Sequence, residues 1–227
     1  MSHANRGKVW EQYLDTLHYR YTVDPLTPVA IERNHPEFKL IFNSSTGKKE
    51  WQPTGVGRPD YSGGILGFSV VTEAKEISTA RFDYANIHAH QALSMERADR
   101  AGGWSFVLLS APDAKAVRLG LAVEWQVLSA GWFSARRVWD RGEHAVNGTA
   151  SVAVSALMER AFHVDRMNAF DWWEPALELM QSTDADARRT RLNAVPIPQV
   201  SLVRRDKKTS RRRRGKGVNV YTSGGRR

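Results

Sequence analysis

The chain has no cysteine. Disulfides and thiolate metal sites are thereby excluded, and any bound metal must rely on histidine and carboxylate side chains. No stretch approaches the roughly 18 consecutive apolar residues of a membrane-spanning helix, and the N-terminus lacks the apolar core of a signal peptide. A soluble, cytoplasmic protein is expected. Acidic residues are scarce at one end: between Asp186 and Arg227 there are 14 Lys and Arg against 2 Asp and Glu, a net +12. The whole chain carries +9 from 33 basic and 24 acidic residues, so the remainder is 19 against 22, or −3. A mildly acidic body with a strongly basic tail suits a polyanion, nucleic acid foremost. A tail serving only solubility or localisation carries the same charge. With 227 residues and 41% apolar content, there is enough chain for one compact domain plus a tail. The domain is expected over 1–185 and the tail over 186–227.

The most informative stretch runs from Arg58 to Lys75. Arg58-Pro59-Asp60-Tyr61 has the composition of a turn. A segment broken by Gly63, Gly64 and Gly67 follows, and Val70-Val71-Thr72-Glu73-Ala74-Lys75 reads as a β-branched strand ending in Glu-x-Lys. Residues i and i+2 of a strand share a face, so Glu73 and Lys75 project the same way. A hairpin reversing near Gly63 and Gly64 brings Asp60 beside them. Two carboxylates and an ammonium then converge on one point. Hard carboxylate oxygens suit Mg²⁺, which takes one or two protein carboxylates along with waters and phosphate oxygens. The ammonium suits a developing negative charge or an attacking water. An ordinary hairpin with solvated charges has the same short pattern, which arises easily by accident.

Upstream, Asn5 to Tyr19 is predicted as a helix, with Trp10, Tyr13, Leu14 and Leu17 as its apolar stripe and Glu11 at the edge. Thr27 to Glu32 and Phe38 to Phe42 read as strands separated by Asn34-His35-Pro36. Ser44 to Gly57 is polar and glycine-rich and reads as a long loop centred on Lys48, Lys49 and Trp51. Basic residues beside an aromatic suit phosphate contact with stacking on a base. A surface loop anchored by one Trp fits equally well. Downstream, Asp83 to Ala101 is predicted as one helix ended by Gly102-Gly103, with His88 and Gln91 facing the hairpin. His88 and His90, two apart, do not share a helix face and make no joint metal site. Trp104 to Ser110 is a near-continuous apolar run, as in a strand buried on both faces. This order gives an α/β fold, a mixed sheet flanked by helices.

Taken together and in order, five motifs resemble the RecU-type Holliday junction resolvases, a bacterial and phage branch of the PD-(D/E)xK nuclease superfamily. They are Asn5-Arg6-Gly7 with Glu11, Pro59-Asp60-Tyr61-Ser62-Gly63, Glu73-Ala74-Lys75-Glu76, Asn86 to Gln91, and Gly102 to Leu109. The resemblance covers Asn5 to Ser110. It implies a restriction-endonuclease-like fold and a homodimer that nicks opposed strands of a four-way DNA junction. The implied cofactor is Mg²⁺, with Mn²⁺ as a substitute. In that family the first-helix Glu, the hairpin Asp and the Glu of Glu-x-Lys surround the metal beside the Lys. Those roles fall on Glu11, Asp60, Glu73 and Lys75, with Gln91 as a further catalytic candidate. The family's stalk, which protrudes into the junction centre, corresponds by position to 43–57. DNA contact is assigned to Arg6, Lys8, Lys48, Lys49, Trp51, Arg58 and His88, and in the tail to Arg211, Arg212, Arg213 and Arg214. Another nuclease on the same fold, of restriction, nicking or flap type, and a non-catalytic nucleic-acid-binding protein remain the alternatives.

In the second half, Leu119 to Trp132 reads as a strand followed by a helix, and Gly131 to Trp139 as a turn and strand. Ser151 to Phe162 reads as a helix capped by Ser151, and Trp172-Trp173-Glu174-Pro175 opens another. The dense Trp and Phe of this region suit core or dimer packing. Pro196 and Pro198 mark a linker, and Arg204 to Arg227 is low-complexity and basic, expected to be disordered when free.

Overall fold

The computed structural model describes residues 6–35, 38–53, 58–112, 118–141, 150–164 and 172–197. The chain opens with α1 (Arg6–Val23) and β1 (Val29–Arg33), followed by β2 (Phe38–Asn43), β3 (Lys48–Pro53), β4 (Tyr61–Ile65) and β5 (Phe68–Glu76). A short β6 (Arg81–Asp83) and one 3-10 turn (Tyr84–Asn86) lead into α2 (Ala89–Arg100) and β7 (Trp104–Pro112). Next come β8 (Arg118–Glu124), α3 (Trp125–Arg141), β9 (Ser151–Ala153), α4 (Val154–Met158) and β10 (Phe162–Val164). Two helices, α5 (Trp173–Ser182) and α6 (Ala185–Ala194), follow.

Six strands form one sheet in the order β1-β4-β5-β7-β8-β10. Only β5 and β7 run parallel; the other neighbours are antiparallel. The parallel pair needs a crossover, and α2 supplies it. The sheet is therefore mixed and carries helices on both faces, as the sequence pattern implied. On one face, Trp10, Leu14 and Leu17 of α1 and Trp172 and Met180 near α5 pack on Val70, Ala74 and Leu108. Trp10 also donates its indole N–H to the Leu108 carbonyl at 2.8 Å. On the other face, α2 and α3 pack through Ala92, Met95, Trp125 and Trp132 on Val107, Leu121 and Val123.

The β4–β5 hairpin turns at Leu66-Gly67, not at Gly63-Gly64. Leu66 and Gly67 both have positive φ (42° and 84°), and Ile65 pairs with Phe68 across them. Positive φ at both central residues is the geometry whose twist matches a hairpin. Gly63 and Gly64 lie within β4, and a Cβ at Gly63 would collide with the Ala30 carbonyl of β1. The glycine serves close strand approach rather than reversal.

Four other elements differ from the sequence reading. The stretch expected as a loop over 44–57 contains β3, which pairs with β2 along its whole length in a separate two-stranded ribbon. The helix expected from Asp83 begins at Ala89, because Arg81 to Asp83 pairs with β9 instead. Gly131 does not turn the chain: α3 continues to Arg141, burying Trp125, Leu128 and Trp132 at helical spacing, and the tight fit of Tyr84 accounts for the glycine. The segment from Ser151 is β9, a short α4 and β10 rather than one helix.

Packed structure also extends past 185. Helix α6 buries Arg188 and Leu192. The Arg188 guanidinium pairs with Asp99 at 3.2 Å and Glu124 at 3.4 Å, donates to the Gly103 carbonyl at 2.9 Å, and stacks 3.9 Å from the Trp104 ring centre. Helix α6 is thus packed against α2, β7 and β8. The basic stretch from Arg204 lies outside the described residues. No helix among the described residues is long and apolar enough to cross a membrane.

Candidate active site

The geometry of β5 sets the site. Val70, Thr72 and Ala74 alternate with Val71, Glu73 and Lys75, and only the first set turns toward α1. Glu73 and Lys75 therefore look toward α2. Asp60 lies just before β4, opposite Glu73, one step beyond the Tyr61–Thr72 pair. The Ala74 N–H donates to Asp60 Oδ2 at 2.9 Å, which holds that carboxylate against β5.

Glu73 is fully buried, with 0% of its surface exposed. Its Oε1 accepts from Lys75 Nζ at 2.7 Å and from Gln91 Nε2. Its Oε2 is buried and, with both carboxylates ionised, meets no hydrogen-bond donor among the described residues, its neighbour being the Asp60 carboxylate. Burial pushes the Glu73 carboxyl up to about 8, against the pull of Lys75, and the neighbouring Asp60 adds to the rise. A buried anion that cannot satisfy one oxygen is costly to hold. A divalent cation there would meet an unmatched Glu73 oxygen and the Asp60 carboxylate, a donor set of the hard type that suits Mg²⁺ or Mn²⁺. These two residues fit the metal that the resemblance implies.

Gln91, on the first turn of α2, ties the pieces together. Its Oε1 accepts from Lys75 Nζ at 3.3 Å and from the His88 backbone N–H at 2.9 Å, while its Nε2 donates to Glu73. One amide thus links the Glu-x-Lys strand to the helix N-terminus. His88 sits at the helix boundary, and its ring stacks on His90 with centroids 5.7 Å apart. Placing His88 outside the helix is what allows two residues at i, i+2 to meet.

Glu11 does not join the pair. It lies on α1, across the sheet from the face that carries Glu73, and its carboxylate is held by Arg33. Among the described residues no three of His, Asp and Glu gather as metal ligands would. The expected three-carboxylate set is here two carboxylates and a lysine. Sequence reading missed the network that engages Glu11. Arg33 also bonds Asp15 at 2.7 Å, and the Tyr61 hydroxyl donates to Asp15 Oδ1 at 2.8 Å. Burial, with Asp15 alongside, drives the Tyr61 phenol well above its usual range, so it stays a donor. Asp15 lies one helical turn after Glu11, the spacing of a shared helix face, and that was the available signal.

The remaining candidates are dispersed. Lys8 is exposed on the first turn of α1, and Arg58 is exposed ahead of Pro59. Lys48, Lys49 and Trp51 lie on β3, where Trp51 is 68% exposed and pairs across the ribbon with Leu40. Arg6 opens α1, and Arg211 to Arg214 lie outside the described residues.

A mixed sheet whose hairpin presents an Asp beside Glu-x-Lys on the next strand is the arrangement of a PD-(D/E)xK nuclease. The family model for recombination protein U, RecU, matches residues 5–123, more than half of the chain, and the protein belongs to that family. Holliday junction resolvase RecU of Bacillus pumilus (strain SAFR-032) is 32% identical over 119 residues, covering 48% of this chain and 56% of that protein. The chain thus spans little more than half the length of that curated relative. Among solved structures, Hjc, a Holliday junction resolvase of Archaeoglobus fulgidus, matches at 16% identity and a TM-score of 0.33, over 53% of this chain and 73% of that one. So loose a likeness carries no argument about the site.

Proposed function

We propose that the protein is a divalent-metal-dependent DNA endonuclease that resolves four-way junctions, working as a homodimer that nicks opposed strands. Membership of the RecU family supports the substrate class. The observation that carries the chemistry is the buried Glu73, with one oxygen unmatched and Asp60 and Lys75 against it.

Asp60 and Glu73 would hold Mg²⁺, which when bound supplies Lewis-acid activation for phosphodiester hydrolysis and offsets charge at the phosphate. The protein's own groups do the rest. Lys75 is partly exposed beside Glu73, and its ammonium would offset the charge that develops on a scissile phosphate. Gln91 bonds both Lys75 Nζ and Glu73 Oε1, which holds the two groups in place for the reaction. A two-fold dimer matches the near two-fold symmetry of a four-way junction and places one site on each of two opposed strands. Selectivity for shape over sequence follows from contacts to phosphates rather than base edges.

The test is cleavage of a labelled immobile four-way junction with linear duplex as competitor, in Mg²⁺ and in EDTA. Mg²⁺-dependent symmetric nicks are the expected result, lost in Asp60→Asn and Glu73→Gln while junction binding persists. Equal cutting of the duplex would keep the hydrolysis and remove the junction. Salt-sensitive binding with no cutting in any divalent ion would leave a DNA-binding protein.

A further inference from the structure

Asp60 stands one residue outside the ladders that fix β4. The last pairs are Arg33 with Tyr61 on one side and Tyr61 with Thr72 on the other. The ladder reaches it only as a single further bond to its carbonyl, and its carboxylate accepts from the Ala74 N–H at 2.9 Å. Asn34 adds contacts on both sides of it. The Asn34 N–H donates to the Asp60 carbonyl at 2.8 Å. The Asn34 side-chain Nδ2 donates to the Pro59 carbonyl at 2.8 Å, and its Oδ1 accepts from the Ser62 hydroxyl at 3.0 Å. Asn34 is half-buried and Pro59 is buried, so this brace is a packed part of the structure and not a surface coincidence.

The side chain suits the task for a chemical reason. A primary amide carries donors and an acceptor on one short stem, so it bonds a carbonyl and a hydroxyl at once. Asp at this position keeps the acceptor for Ser62 but loses the donor for Pro59. Ala loses both. The backbone bond to Asp60 survives either change, so only the clamp on the preceding and following residues is removed.

From this geometry we infer that Asn34 is a positioning residue for the reaction: it fixes the Pro59–Ser62 turn so that the Asp60 carboxylate is held ready beside Glu73 for a divalent cation. The inference rests on the nuclease reading of the site. Asn34 touches no reacting atom and acts through Asp60. Groups that orient metal-binding carboxylates typically alter metal affinity or activity by about ten- to a hundredfold when removed.

The experiment compares wild type, Asn34→Ala and Asn34→Asp. It measures junction cleavage against Mg²⁺ concentration, Mn²⁺ binding to the DNA-free protein by calorimetry, junction affinity in EDTA, and thermal unfolding. Both variants are expected to lose roughly ten- to a hundredfold in kcat. Their half-saturating Mg²⁺ should rise and their Mn²⁺ binding weaken, with KM and junction affinity in EDTA unchanged. Variants that cleave and bind Mn²⁺ within about threefold of a cleaving wild type would overturn the inference and leave the nuclease reading standing. A loss in Asn34→Ala that tracks its unfolding, with full activity in a well-folded Asn34→Asp, would reduce Asn34 to a fold-stabilising residue and also overturn it. A wild type that never cleaves removes the nuclease reading and the inference together.

Discussion

Replacing Arg188 with methionine tests the buried contact that docks α6. The guanidinium is almost wholly enclosed, with Asp99 at 3.2 Å, Glu124 at 3.4 Å and the Trp104 ring beneath it. Removing one partner of a buried pair and leaving the other costs about 3–5 kcal/mol. Asp99 has a way to lower that cost, because it can take up a proton. Burial already pushes its carboxyl from 3.8 up to about 6, with Arg188 pulling the other way. The folded state therefore keeps this proton to higher pH than the unfolded chain. The associated stability is fully present below about pH 4 and fades as pH rises through about 6, a ceiling of about 3 kcal/mol at 1.36 kcal/mol per unit. Without Arg188 the downward pull is gone and the loss extends to higher pH. Urea unfolding followed by tryptophan fluorescence should show Arg188→Met destabilised by about 3–5 kcal/mol at pH 8. At pH 5 the deficit should shrink to about 1–2 kcal/mol, the share of the lost Gly103 bond and ring contact. Adding Asp99→Asn should recover part of the pH 8 deficit. An equal deficit at both pH values, or one under about 1 kcal/mol at pH 8, would refute the reasoning.

Glu73→Gln should raise the thermal stability of metal-free protein at pH 8, where burial opposes the ionised carboxyl, while abolishing cleavage; an unchanged or lowered melting temperature in EDTA would contradict this. Gly63→Ala should prevent soluble expression or cost more than about 3 kcal/mol, because the new methyl has only the Ala30 carbonyl to displace; equilibrium unfolding checks it. Gln91→Ala should lower kcat about tenfold or more with junction affinity intact, as it removes the amide that bonds both Lys75 and Glu73, and single-turnover kinetics would register the change.

The Glu-x-Lys strand was legible because strand alternation is local: Glu73 and Lys75 share a face whatever packs around them. Asp60 followed from the same hairpin logic, although the turn lies at Leu66-Gly67. The glycines misled because Gly63 answers to a neighbouring strand that sequence does not reveal. Gly131 misled in the same way, since its partner Tyr84 lies far back in the chain. The β2–β3 ribbon was only half visible, because Lys48 to Pro53 mixes charge with a lone aromatic and shows no clean period of two. Glu11 was assigned from family order, and the face of the sheet on which its helix docks is a tertiary property. Asn34 reads in the sequence only as part of the break between two strands, because its partners lie some 25 positions away.

The Asn34 brace also closes the root of the β2–β3 ribbon. The six-stranded sheet is left after Arg33, β2 and β3 form a two-stranded sheet of their own among the described residues, and Asn34 meets Pro59 at 2.8 Å. Closing a longer excursion costs only about 0.6 kcal/mol per doubling of its length. Descendants of this chain can therefore lengthen, shorten or exchange the ribbon with little consequence for the catalytic hairpin, provided Asn34 and Pro59 stay. The ribbon and the Asp60–Glu73–Lys75 hairpin are therefore free to evolve separately.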